Sequence, residues 1–180
     1  MKSASSSQQA AVSFEALRQK AEQIVAQYER KQAAMLPVLH LMQQQQGFIS
    51  GAAEEWVAQL LDVTPAHVHE VVTFYTLFRR QPVGQYHVQL CTNLSCALRG
   101  SAQCLAALSA RLGVAPGRTT PDGRFTLSTV ECLCACELAP MAQVNDVYLG
   151  PLTPERIEEL VAHPEQLGAS TAPRAHKAIL

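Results

Sequence analysis

Five of the six cysteines crowd into two short stretches, and no cysteine precedes residue 91. Cys91 and Cys96 are separated by four residues, Cys132 and Cys136 by three, and 35 residues (97 to 131) lie between the pairs. Cys134 stands inside the second pair and Cys104 apart from both. Each pair follows a stretch that reads as a β-strand, QYHVQLC before the first and RFTLSTV before the second. Strand ends present loops at a sheet edge, so two loops from one edge can converge on a single object. That requirement limits the fold more than any other feature of the chain.

Whether the thiols form disulfides depends on compartment. The leading segment MKSASSSQQAAVS has no apolar stretch of a secretory signal, and no run approaches the ~20 apolar residues of a membrane span. The expectation is therefore a polar tail over residues 1–12, no membrane insertion, and a cytoplasmic or similarly reducing setting. There, clustered cysteines point to metal or redox chemistry rather than cross-links. At 180 residues and 48% hydrophobic, the chain has enough material for a core without staples. A formal charge of −1, from 14 Lys+Arg against 15 Asp+Glu, gives no basic face for nucleic acid.

The first half reads as helices. Phe14, Leu17, Ala21, Ile24, Val25 and Tyr28 share one helical stripe. A second helix is expected over about Ala33 to Gln46, stopping at Gly47, provided that Pro37 falls in its first turn. A third follows Ser50, and a fourth opens on Thr64-Pro65, an N-cap with proline at N1. The segment from Thr73 to Gly84 joins the halves and carries Phe74, Tyr75, Phe78, Arg79 and Arg80, suited either to a hinge core or to a partner surface.

The second half alternates. Tyr86, Val88 and Leu90 against His87 and Gln89 predict a half-buried strand. After Cys96 one helix is expected to about Leu112, with Leu98, Ala102, Leu105, Leu108 and Leu112 as its apolar positions and Gly113 at its end. A turn at Pro121 to Gly123, a strand to Cys132, a hairpin about Asn145-Asp146, and a helix from Thr153-Pro154 with Ile157, Leu160 and Val161 inward complete it. Strand, helix, strand, hairpin, helix is the order of a thioredoxin-like α/β sandwich. The expected divisions are 1–12 tail, 13–84 helical bundle and hinge, 85–164 α/β domain, and 165–180 C-terminal tail.

Three chemistries compete for the thiols. A [2Fe–2S] cluster needs four thiolates, two for each iron, and the two pairs supply them as Cys91 with Cys96 and Cys132 with Cys136. Zinc accepts the same donors as a structural site in an interaction module, although its usual knuckles are shorter. A thiol oxidoreductase built on Cys132, Cys134 and Cys136 lacks the usual C-x-x-C. Cys134 is an extra thiol beside the site that could pack, oxidise or serve as a ligand. Cys104 reads as a small core hydrophobe. His67 and His69, two apart on a helix, point different ways, and His40, His87, His163 and His176 are isolated. No Ser/His/Asp set and no phosphate-cradling glycine loop is present, so no catalytic residue is assigned.

The stretches VTFYTLFRRQPVGQYHVQLCTNLSC and TTPDGRFTLSTVECLCACELAP resemble the thioredoxin-like [2Fe–2S] subunit of NADH–quinone oxidoreductase, the E subunit of respiratory complex I. They are similar also to the small subunits of NAD-reducing hydrogenases and NAD-dependent formate dehydrogenases. The resemblance runs from about Phe14 to Val161. It implies a helical bundle before a thioredoxin-like domain, and one [2Fe–2S] cluster on Cys91, Cys96, Cys132 and Cys136. It implies also a subunit that exchanges single electrons with the FMN of an NADH-binding partner, beside further iron–sulfur subunits. The peripheral arm of such a complex is the implied location, with no catalytic site on this chain itself. One departure stands out: the family typically has glycine where this chain has Cys134. Which complex owns the chain is left open between the three, with complex I the first expectation.

Overall fold

The computed structural model describes residues 14–167. The expected polar tail at 1–12 lies outside the described residues, as do His176 and all of the expected 165–180 tail beyond Leu167. The chain divides into two compact units between Pro82 and Val83.

The first unit is helical: α1 (Phe14–Val25), a 3-10 turn (Lys31–Ala34), α2 (Met35–Gln46), α3 (Gly51–Leu61) and α4 (Pro65–Phe74). Side-chain caps set two of the starts, since Ser50 accepts from the Ala53 amide at 3.2 Å and Thr64 from the His67 amide at 3.3 Å. Pro37 does fall in the first turn of α2, whose preceding residues tighten into the 3-10 turn. Val38, Leu39, Met42, Val57, Leu61 and Val68 fill the core. Tyr28, expected in the first helical stripe, lies beyond α1 and is exposed. Amides of Gln27 and Tyr28 bond carbonyls three residues back, which closes the helix at Val25.

The joining segment is split in character. Phe78 is buried in this unit's core, 5.3 Å from the His40 ring, whereas Phe74 is 77% exposed and Tyr75 and Leu77 are exposed. The Gln43 amide ties the segment down, donating to the Leu77 carbonyl at 2.9 Å and accepting from the Arg79 amide at 2.7 Å.

The second unit holds β1 (Tyr86–Cys91), α5 (Leu94–Leu98), α6 (Ser101–Leu112), β2 (Arg118–Thr119), β3 (Phe125–Val130), β4 (Ala142–Val144), β5 (Val147–Leu149) and α7 (Pro154–Ala162). The five strands form one sheet in the order β2-β3-β1-β4-β5. Only β1 and β3 run parallel, with Cys91 opposite Val130, and the other pairs are antiparallel. Parallel neighbours need a crossover, which α5 and α6 provide. Val88, Leu90, Leu108, Leu127, Ala142, Ile157 and Leu160 are buried together between sheet and helices. Leu167 joins them after a 3-10 turn at Pro164–Gln166, so packing continues past residue 164.

Three expectations need correcting. Strand β1 is central rather than half-buried: His87 is covered too, its Nε2 2.8 Å from the Ser128 hydroxyl across the parallel pair. The single helix after Cys96 is two helices, and Cys96 lies within the first of them. Gly100 (φ +93°) takes a left-handed conformation that breaks the helical path, so Leu98 is 78% exposed and Ala102 exposed. Leu108 is buried as expected, and Ser101 and Cys104 join it in place of Leu98 and Ala102. Val161 is only partly buried. Among the described residues, no helix is long and apolar enough to cross a membrane.

Candidate metal centre

Because β1 and β3 are parallel and in register at their ends, both strands release their following loops at the same edge of the sheet. That pairing brings together two thiol pairs that lie far apart in sequence. A tight recess of about 10 Å³ is lined by Cys91, Asn93, Ser95, Cys96, Cys132, Cys134, Ala135, Cys136 and Met141. All four cysteines expected as ligands are on its wall, with Cys134 as a fifth thiol. Cys104 is elsewhere, buried in α6 with its thiol donating to the Leu152 carbonyl at 3.5 Å.

The first loop is short and bonded throughout. The Cys91 amide donates to the Met141 carbonyl at 3.0 Å and the Thr92 amide to the Val130 carbonyl at 3.0 Å. Asn93 caps α5, accepting from the Leu94 amide at 2.7 Å, and α5 carries Cys96 into the wall. Cys91 and Cys96 are 3% and 2% exposed, packed with Ala135, Ala139 and Met141. Burial pushes the Cys96 thiol up to about 11, helped by its hydrogen bond with Cys91 and opposed by a bond with the Met141 backbone.

The second loop is open. Cys132, Cys134 and Cys136 are exposed. Cys134 sits at φ +54°, in the left-handed region, where its amide donates to the Cys132 sulfur at 3.3 Å. The two sulfurs are 3.8 Å apart. The Cys134 thiol is raised above its usual range, first by hydrogen bonding with Cys132 and then by the neighbouring charge. Behind this loop a β-carbon at Gly150 would overlap the Leu138 carbonyl and come within 2.9 Å of the Met141 β-carbon, so glycine there lets β5 press against it. Arg156 holds the Gly150 carbonyl at 2.7 Å, and the Leu152 amide bonds the Pro140 carbonyl at 2.7 Å.

The donor set fits an iron–sulfur group. The recess offers soft sulfur donors, no carboxylate or imidazole among the described residues lines it, and a backbone N–H already points at one sulfur. Among the described residues no three ligand-type side chains close on a single point. His67 faces Glu70, and His69 faces Glu54 at 2.9 Å. Sequence reading missed the roles of Asn93, Ser95, Met141 and Gly150. Asn93 had a legible signal, an N-cap residue type just ahead of Leu94-Ser95-Cys96; Gly150 shows its purpose only against Leu138.

Comparison with known proteins agrees with this geometry. Residues 21–165 match the family described as thioredoxin-like [2Fe–2S] ferredoxin. The second E-type subunit of NADH-quinone oxidoreductase from Rhizobium meliloti (strain 1021) is 47% identical over 145 residues, 81% of this chain and 86% of that one. NADH-quinone oxidoreductase subunit 2 of Thermus thermophilus is 41% identical over 144 residues, 78% of this chain and 80% of that one. The fold also matches the crystal structure of an NAD+-reducing [NiFe]-hydrogenase in the air-oxidized state, with a TM-score of 0.62 and 22% identity. That match covers 77% of this chain but 23% of the hydrogenase chain.

Proposed function

Because this chain belongs to the thioredoxin-like [2Fe–2S] ferredoxin family and, within it, to the E-type subunits of NADH-quinone oxidoreductase, we propose that it is the electron-transfer subunit of such a complex. Its ligands in this reading are Cys91, Cys96, Cys132 and Cys136. The observation that carries the reading is the convergence of two thiol-bearing loops on one soft-donor recess at the end of a parallel strand pair. When bound, a [2Fe–2S] cluster takes up and returns one electron at a time.

The residues divide the remaining work. Cys91 and Cys96 bind from the buried side and keep water from the inner wall, with Met141 and Ala135 completing the apolar lining. Cys132 and Cys136 bind from the exposed side, where a redox partner can approach. The Cys134 amide donates to the Cys132 sulfur and so fixes the position of that side chain. No acid–base or nucleophilic set is assigned to this chain, so hydride chemistry falls to an FMN- and NADH-binding partner subunit, with further iron–sulfur subunits beyond. The chain then belongs to the peripheral arm of the complex. The quinone-reducing complex is preferred to a hydrogenase or formate dehydrogenase on the 41–47% identity of its NADH-quinone oxidoreductase relatives.

Anaerobic purification with iron, acid-labile sulfide and zinc analysis tests the site. Two irons and two sulfides per chain are expected, and one zinc without sulfide would replace this reading with a structural zinc module. The proteins that co-purify with the chain test the parent complex: a flavin-bearing NADH-oxidising subunit together with quinone-reductase subunits is expected, and hydrogenase or formate dehydrogenase subunits would reassign it.

A further inference from the structure

The recess has one thiol more than four-fold ligation uses, and the surplus sulfur is not equally close to every ligand. Cys134 lines the same wall as the four proposed ligands, and its sulfur lies 3.8 Å from that of Cys132. Both side chains are exposed, so a step between staggered χ1 wells meets no packed neighbour. The deep ligands have no such understudy. Cys91 and Cys96 are buried, and the sixth thiol, Cys104, is bonded to Leu152 away from the recess.

We propose that Cys134 is a reserve ligand for the Cys132 position: when the Cys132 sulfur is lost, Cys134 takes its iron and the cluster is retained. This inference rests on the ligand reading given above. The left-handed backbone at Cys134 is what holds its side chain on the recess side of so tight a loop. Glycine at that position would keep the backbone path and the amide bond to Cys132 but would supply no sulfur. The substitution is balanced without an oxidant or reductant. Cys134 binds as thiolate and releases its proton to solvent, as any thiol ligand does, and the oxidation state of the irons does not change. The consequence is an asymmetric tolerance, in which the exposed loop survives loss of one ligand and the buried loop does not.

The test reconstitutes the full chain anaerobically with ferrous iron and sulfide in four forms: unaltered, Cys132→Ala, Cys132→Ala/Cys134→Ala, and Cys91→Ala. Iron and sulfide per chain and the paramagnetic resonance spectrum after reduction are read out, with circular dichroism of the cluster-free chains as a check on folding. Cys132→Ala is expected to keep a cluster content close to that of the unaltered chain with altered g-values, while the double variant and Cys91→Ala lose it. Cys132→Ala as empty as the double variant overturns the proposal, and so does a double variant as full as Cys132→Ala. Should alanine collapse the loop, Cys132→Val against Cys132→Val/Cys134→Gly decides the same question, with a side chain of similar size at 132 that offers iron no donor and a residue at 134 that suits the positive φ. An unaltered chain that takes up no cluster, or a Cys91→Ala chain that keeps one, would instead overturn the ligand reading itself.

Discussion

The loop between β1 and α5 and the loop between β3 and β4 face one recess with opposite constructions. The first sinks its two cysteines among Ala135, Ala139 and Met141 and fixes them through backbone bonds and a capped helix. The second exposes three cysteines, passes through a left-handed residue, and relies on Gly150 and Arg156 behind it for its position. The proposed metal seat thus has a buried inner jaw and an exposed outer one. Burial makes a ligand precise but irreplaceable, whereas exposure permits both substitution and approach by a partner.

The largest break in that contrast is expected at the inner jaw. Cys96→Ser should abolish the cluster, measured as iron and sulfide per chain, because no other thiol can reach that wall. It should also destabilise the cluster-free chain by about 1–3 kcal/mol in urea unfolding, since a buried hydroxyl is harder to satisfy than a thiol. Gly150→Ala attacks the outer jaw from behind. The added methyl must displace the Leu138 carbonyl, so we expect about 1–3 kcal/mol of destabilisation and a broadened paramagnetic resonance spectrum, with Cys91 and Cys96 still binding.

A smaller effect sharpens the comparison from the other direction. Cys134→Gly removes a side chain from a left-handed position that costs a non-glycine residue roughly 1–2 kcal/mol, partly offset by the greater freedom of glycine in the unfolded chain. The cluster-free variant should gain up to about 1 kcal/mol in urea unfolding with cluster content unchanged; a loss of cluster would give Cys134 a role even when Cys132 is present. A further effect is expected from pH. In the cluster-free chain Cys96 titrates near 11 when folded against 9.0 in its ordinary state. The folded chain thus holds the extra proton between those values, so this contribution to stability is complete below pH 9 and is lost as pH rises toward 11. Urea midpoints taken across that range should fall, and Cys96→Ser should flatten the slope.

Much of this was legible in the residues. Helices α3 and α4 announce themselves through Ser50 and Thr64-Pro65, and the strands before Cys91 and Cys132 through their alternation. What could not be read locally is what depends on partners in space. His87 looks like a solvent-side residue of a two-faced strand until β3 and β4 flank it on either side. Leu98 continues the helical spacing toward Leu105 and Leu112, yet Gly100 turns the path and leaves that side chain outside. Strand β2 is two residues long and has no period to detect. At the site, the sulfur pairs were visible as spacing, but the difference between a buried and an exposed pair came only from the packing of Met141 and Ala135. The positive φ at Cys134 is the structural counterpart of the glycine that the family resemblance led one to expect there.

The parallel pairing of β1 with β3 also sets a timetable. A chain emerging from the ribosome as far as Val130 has one jaw and nothing for it to meet, because the opposite jaw is encoded after the whole crossover and its returning strand. On the proposed ligand set, a complete seat for the cofactor is therefore available only once the second thiol pair, beyond Val130, has been made.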